Sequence, residues 1–169
     1  MNIAVVTSDR DYYFRPDTSL NREAQNFYLP DGVSQLRLTP CIYSKLIKGG
    51  KSIGAKFATR YVDSFGFGLL FDDIAALQGE ATSMDQSTVI TYETLPLQEL
   101  SSATFQININ SQSLTFDDFN EQLIINAITL VSKKCTLRAS DLIVCCRDES
   151  FAIAAGDIIS FSNHSIKIL

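Results

Sequence analysis

Short apolar runs separated by turn-forming residues dominate the chain, and most of them carry β-branched or aromatic side chains. Runs of about four to eight such residues are typical of buried strands. Strands are therefore predicted near residues 3–7, 36–47, 65–71, 89–92, 104–110, 112–114, 142–146, 158–161 and 165–169. Pro40 lies inside the second run, and because proline has no N–H to donate, it predicts an edge strand or a bulge there.

Two segments have helical spacing instead. Residues 52–62 carry apolar side chains at helical intervals, with Ser52 as the predicted N-cap. The longer helix is predicted to begin near Asp117, with acidic residues at its start and two lysines at its end, as the helix dipole favours. Because predicted strands outnumber helices and no β-α-β order repeats, we expect a strand-rich α+β fold, with residues 1–169 as a single domain.

The composition narrows the possible functions. The 169 residues include one histidine and carry a net charge of −5. One histidine cannot build a multi-histidine metal site. A nucleic-acid partner is not expected, because phosphate binding needs a concentrated basic face and the lysines at 45–51 are dispersed. No apolar run reaches membrane length and no signal-peptide pattern is found, so we expect a cytoplasmic protein without a membrane partner.

Four cysteines occur, and none forms the C-x-x-C spacing that is typical of zinc sites. Cys145 and Cys146 are adjacent in a predicted strand, so their side chains should point to opposite faces and cannot readily bridge each other. Together with Cys41 and Cys135, they are interpreted as small buried hydrophobic residues.

Familiar catalytic motifs are absent: the sequence has no P-loop, no G-x-S-x-G and no H-E-x-x-H. The pair Asp72-Asp73 follows a predicted strand, where it would either bind a hard cation or begin a helix. The polar segment 147–150 interrupts two apolar runs and is predicted to be an exposed loop, with a functional loop as the alternative.

Several segments, taken in order, resemble the fumarylacetoacetate hydrolase family, in particular catalytic domains of the 2-hydroxyhepta-2,4-diene-1,7-dioate isomerase type. The segments are 14–20, 27–31, 50–61, 67–73, 84–87, 137–143 and 155–158. The resemblance runs nearly from end to end. It implies a mixed β-roll or sandwich with short flanking helices, usually assembled as a homodimer.

Enzymes of that family hold Mg²⁺, Mn²⁺ or Ca²⁺ through a glutamate-x-glutamate pair and an aspartate, and the metal binds a 2-oxo acid or β-diketone. At the corresponding positions this chain has Thr39, Cys41 and Leu70. A hydroxyl, a thiol and an isobutyl group cannot replace three carboxylates around a hard cation. The family's active-site lysine has no counterpart either, since no lysine occurs between Lys56 and Lys133.

Two hypotheses follow from the resemblance. The preferred one is a catalytically inactive family member without a cofactor, kept as a homodimer, as the partner of a related subunit, or as a binding protein for a small molecule that the sequence does not identify. The alternative is an active hydrolase or isomerase of 2-oxo acids or acylpyruvates that uses Mg²⁺ or Mn²⁺ at a relocated carboxylate site. Asp72 would reach the ligand position if the alignment shifted by two residues. The candidate cleft residues are Arg15, Asp72, Asp73, Asp85, Arg147 and Asp148, and the alternative adds Glu149.

Overall fold

The computed structural model describes residues 1–8 and 11–169 and shows a strand-rich α+β architecture, as predicted from the sequence. The strands are β1 (Ile3–Ser8), β2 (Asp11–Arg15), β3 (Leu20–Asn21), β4 (Gln35–Lys45), β5 (Ser64–Asp73), β6 (Thr88–Ile90), β7 (Leu95–Pro96), β8 (Phe105–Ile109), β9 (Gln112–Phe116), β10 (Leu142–Cys146), β11 (Phe151–Ala154), β12 (Ile158–Phe161) and β13 (His164–Lys167). The α-helices are α1 (Ala55–Ala58), α2 (Gln78–Ala81) and α3 (Glu121–Ser132). Short 3₁₀ turns cover Asp17–Ser19, Thr59–Tyr61 and Leu97–Ser102.

Among the described residues, the strands form two sheets. The larger runs in the order β2-β1-β10-β4-β5-β6-β3, with β11 beside β4 and β7 beside β5. The smaller has the order β13-β12-β8-β9. Most neighbours are antiparallel, but β1 pairs with β10 and β3 with β6 in parallel.

The larger sheet is curled into a roll. Its two end strands, β2 and β3, are separated in sequence only by residues 16–19, so the chain passes from one end of the sheet to the other in a single short step. Such a short link requires the two ends to lie close together. Arg15 on β2 accordingly donates hydrogen bonds to Ser87 and Thr88 at the opposite end.

The curl gives the sheet an inner and an outer face, because alternate side chains of a strand point to opposite sides. The inner face carries a compact apolar cluster, and the outer face belongs to the main core, which includes the apolar stripe of α3. That stripe is Ile124, Ala127, Ile128 and Val131, as the helical spacing predicts. The two faces separate the scaffold from the site: α3 packs outside the roll, whereas Cys41 and Leu70 and the pair Arg15–Asp72 lie inside it.

Several local expectations are corrected. Pro40 lies in the centrally placed β4 and not in an edge strand. It is tolerated because it sits where β10 ends and β11 begins along β4, so the missing N–H interrupts no continuous ladder. The first helix begins after Gly54, because Ser132 holds the backbone of residues 52–53 through hydrogen bonds. Of the four cysteines, Cys135 and Cys146 are only half-buried.

Candidate functional site

The three positions that the sequence resemblance matches to the family's metal ligands lie side by side on the inner face of the roll. Thr39 and Cys41 are two residues apart on β4 and therefore share a face. Leu70 is the direct cross-strand partner of Thr39 on β5. The fold thus brings together the positions that the sequence resemblance singles out.

The surroundings of these positions are apolar. Cys41 and Leu70 are buried in one cluster, whose other members are Ile3, Val5, Tyr43, Ile90, Leu142 and Val144. Burial raises the pKa of the Cys41 thiol, so the sulfur stays protonated. Thr39 supplies one neutral hydroxyl. These groups do not fit a Mg²⁺ or Mn²⁺ ion, which needs several oxygen ligands, mostly charged.

Arg15 and Asp72 form a buried ion pair beside this cluster. Arg15 is 2% exposed; one of its terminal nitrogens pairs with Asp72, and the other donates to the carbonyls of Phe71 and Ser87. Asp72 faces Arg37 across the β4–β5 ladder. Burial raises the pKa of Asp72, although Arg15 and Arg37 act in the opposite direction. The carboxylate of Asp72 thus lies between two arginines, forming an ion pair with Arg15 and facing Arg37.

A cleft of about 480 Å³ opens at the mouth of the roll. Six candidate residues line it: Thr39, Leu70, Asp72, Asp73, Arg147 and Asp148. Cys41 lies deeper in the apolar cluster and does not reach the cleft. Asp85 lies outside the cleft, exposed in the turn before β6.

Further residues line the cleft that the sequence did not identify as site residues, among them Tyr13, Arg37 and Cys146. Burial raises the pKa of Tyr13 to about 12, so its phenol is neutral. Alternation along residues 11–15 and 35–45 could have placed Tyr13 and Arg37 on the inner face, but only the sheet order shows that these strands meet.

Arg147 is held away from the centre of the cleft. It forms an ion pair with Asp118, and its guanidinium carbon lies 4.9 Å from the ring centre of Phe116 and 5.8 Å from that of Phe119. A second cleft of about 490 Å³ lies on the α3 side of this residue. The segment 147–150 is therefore not a fully exposed loop, because its first residue packs on aromatic rings.

The carboxylates of the cleft do not converge on a cation position. Within residues 1–8 and 11–169, no group of three or more His, Cys, Asp or Glu side chains could hold a metal ion. Asp72 is bound by Arg15, and Asp73 accepts a hydrogen bond from the backbone N–H of Ala75 at 2.9 Å. The donor set therefore does not fit the family's divalent cation.

The backbone closely matches known structures. A structure assigned to the fumarylacetoacetate hydrolase family, from Yersinia pestis CO92, superposes with a TM-score of 0.81 over 99% of this chain and 92% of its own, at 16% identity. The fumarylpyruvate hydrolase from Pseudomonas aeruginosa, in complex with Mn²⁺ and pyruvate, superposes with a TM-score of 0.81 over 100% of this chain and 89% of its own, at 12% identity. The 5-carboxymethyl-2-hydroxymuconate delta-isomerase from Mycobacterium smegmatis superposes with a TM-score of 0.83 over 99% of this chain and 78% of its own, at 12% identity.

The chain has the fumarylacetoacetate hydrolase fold. The family resemblance of the sequence is thereby confirmed at the level of the fold. No family model and no curated protein matches the sequence itself. In the described part of the chain, no helix has the length and apolar character needed to cross a membrane.

Proposed function

We propose that this protein is a non-catalytic member of the fumarylacetoacetate hydrolase family that acts through binding, as a homodimer or as the partner of a related subunit. The observation that carries the proposal is the chemistry at positions 39, 41 and 70, where a hydroxyl, a thiol and an isobutyl group stand together on the inner face of the roll. A site of this composition lacks the charge that a hard divalent cation requires.

The Arg15–Asp72 pair supports the same proposal. Asp72 follows Leu70 by two residues on the same face of β5 and so lies beside the positions matched to the family's ligands. Its carboxylate is paired with an arginine that is itself almost fully buried. Recruiting Asp72 to a metal would leave that guanidinium without its charge partner in a buried setting, which is strongly unfavourable.

Metal binding by the purified protein tests the proposal. After treatment with a chelator, the protein is titrated with Mn²⁺, and bound metal is followed by electron paramagnetic resonance and by calorimetry. We expect only weak binding without fixed stoichiometry. One equivalent of Mn²⁺ bound with micromolar affinity would contradict the proposal. An Asp73→Asn variant would then show whether the cleft holds the ion.

One observation favours the alternative of an active enzyme: Asp72, Asp73 and Asp148 line a single cleft. This alternative predicts turnover of acylpyruvates or other 2-oxo acids in the presence of Mg²⁺ or Mn²⁺, lost in both Asp72→Asn and Asp73→Asn. The non-catalytic proposal predicts no turnover above that of a preparation of the Asp73→Asn variant made in parallel.

A partner subunit is tested separately. Sedimentation at several concentrations should give a concentration-dependent dimer if the protein acts as a homodimer. Co-purification of a catalytically competent chain of the same fold would instead support the role of a partner subunit.

A further inference from the structure

Two cysteines face each other directly inside the roll. Cys41 on β4 and Cys146 on β10 are register partners in the antiparallel β4–β10 ladder. Both side chains lie on the inner face, where Cys41 belongs to the apolar cluster and Cys146 packs against it. They are 105 positions apart in sequence, so only the sheet order brings them together.

The hydrogen bonding next to this pair defines its geometry. The N–H of Arg147 donates to the carbonyl of Pro40 at 3.1 Å, so these two residues occupy a hydrogen-bonded site of the ladder. Hydrogen-bonded and non-hydrogen-bonded sites alternate along an antiparallel pair. Cys41 and Cys146 therefore occupy a non-hydrogen-bonded site, where opposite Cα atoms are about 4.5 Å apart and side chains are closest. Disulfides join Cα atoms about 4.4–6.8 Å apart.

The two thiols differ in access. Cys146 is half-buried and lines the cleft, whereas Cys41 is completely buried behind it. A reagent that enters the cleft therefore meets Cys146 first, and Cys41 is the only cysteine opposite it. The neighbouring Cys145 points to the outer face, where its thiol donates to the carbonyl of Leu123.

We propose that Cys41 and Cys146 are a redox-sensitive pair that closes to an intrachain disulfide when a low-molecular-weight disulfide enters the cleft. The deprotonated sulfur of Cys146 attacks the reagent, forming a mixed disulfide and releasing one thiol. The deprotonated sulfur of Cys41 then attacks the sulfur of Cys146 and releases the second thiol. The protons lost by the two cysteines end on the two released thiols, so two protein thiols are oxidised and one disulfide is reduced.

Closure requires the side chain of Cys41 to rotate. The sulfur of Cys41 leans over Gly68 on β5, where a Cβ would lie 3.3 Å from it. Rotation about the Cα–Cβ bond of Cys41 turns the sulfur away from β5 and toward β10. Burial raises the pKa of both thiols, so we expect closure to be slow at neutral pH.

The experiment uses the Cys145→Ser protein incubated with oxidised glutathione in mildly alkaline buffer, then unfolded and alkylated. Trypsin releases Cys41 in peptide 38–45 and Cys146 in peptide 139–147, which then contains a single cysteine. We expect these two peptides to be found joined, with a mass lower by two hydrogen atoms than the sum of the separate peptides. A reducing agent should separate them again.

Two control variants add to the test. In Cys145→Ser/Cys146→Ser, peptide 38–45 should be recovered alkylated and unlinked. In Cys145→Ser/Cys135→Ser, the linked pair should persist. The proposal is overturned if Cys41 stays alkylatable after prolonged oxidation of the folded protein, if it is linked to Cys135, or if Cys146 is found only as a glutathione adduct or in a dimer.

Discussion

Arg15, on the end strand β2, donates to the carboxylate of Asp72 across the interior of the roll and so joins two strands that are not neighbours in the sheet. The same guanidinium binds the carbonyls of Phe71 and Ser87. Arg15 was a candidate cleft residue from the sequence, and the structure places it behind the cleft wall, where it helps to close the roll.

Replacing this arginine should weaken the fold. Arg15→Met removes a buried charge and leaves Asp72 without its main partner, so the free energy of unfolding should fall by about 3 kcal/mol or more. Guanidinium denaturation followed by circular dichroism measures the change. The double variant Arg15→Met/Asp72→Leu should recover part of the loss, because no unpaired charge remains. If Arg15→Met unfolded at the wild-type denaturant concentration, the pair would not be structural.

The raised pKa of Asp72 predicts a pH dependence. In the folded chain burial keeps Asp72 protonated to a higher pH than in the unfolded chain, where its pKa is about 4. Its ionisation therefore costs folding free energy as the pH rises above that value, and the cost is relieved as the pH falls. Denaturation midpoints at a series of pH values should show the wild type losing stability relative to Asp72→Asn as the pH increases. A difference that is flat or of opposite slope would contradict the expectation.

Adding a methyl group at Gly66 on β5 tests how tightly the inner face is packed, and the same change at Gly79 on α2 is the control. A Cβ added to Gly66 would lie 2.5 Å from the ring of Tyr43, which is buried on the inner face. Gly66→Ala should therefore lower the free energy of unfolding by about 1–3 kcal/mol through overpacking. Gly79→Ala, where no described atom lies within 4 Å of the new Cβ, should change it little. Equal losses in both variants would show that contact with Tyr43 is not the cause.

Introducing carboxylates at the three positions that the resemblance matches to the family's ligands tests whether this fold can hold a metal there. In Thr39→Glu/Cys41→Glu/Leu70→Asp, three carboxylates replace neutral groups in a buried cluster, so the protein without metal should be clearly less stable than the wild type. A ligand that binds only the folded state stabilises it. Mn²⁺ at about 100 times its dissociation constant should therefore raise the free energy of unfolding of the triple variant by about 2.7 kcal/mol. Thermal unfolding with and without Mn²⁺ measures this. If Mn²⁺ had no effect on the triple variant, these three positions would not form a cation site in this fold.

Local sequence patterns predicted a large part of the fold. The runs in β1, β5, β10 and β12 and the apolar stripe of α3 follow from side-chain periodicity, which needs only neighbouring residues. The strands β2 and β11 were not predicted. Both strands are short. β11 gains its stability from the first half of β4, which is distant in sequence, whereas β2 pairs with the strand that precedes it, β1.

By itself, the sequence determined the fold class and the absence of carboxylates at positions 39, 41 and 70, because both are properties of residue type and local order. Only the tertiary structure decided that Asp72 is held by Arg15, that Asp85 lies outside the cleft, and that Cys41 faces Cys146. These relationships depend on sheet order and register, which arise from long-range pairing and burial. A pattern along a single segment therefore cannot specify them.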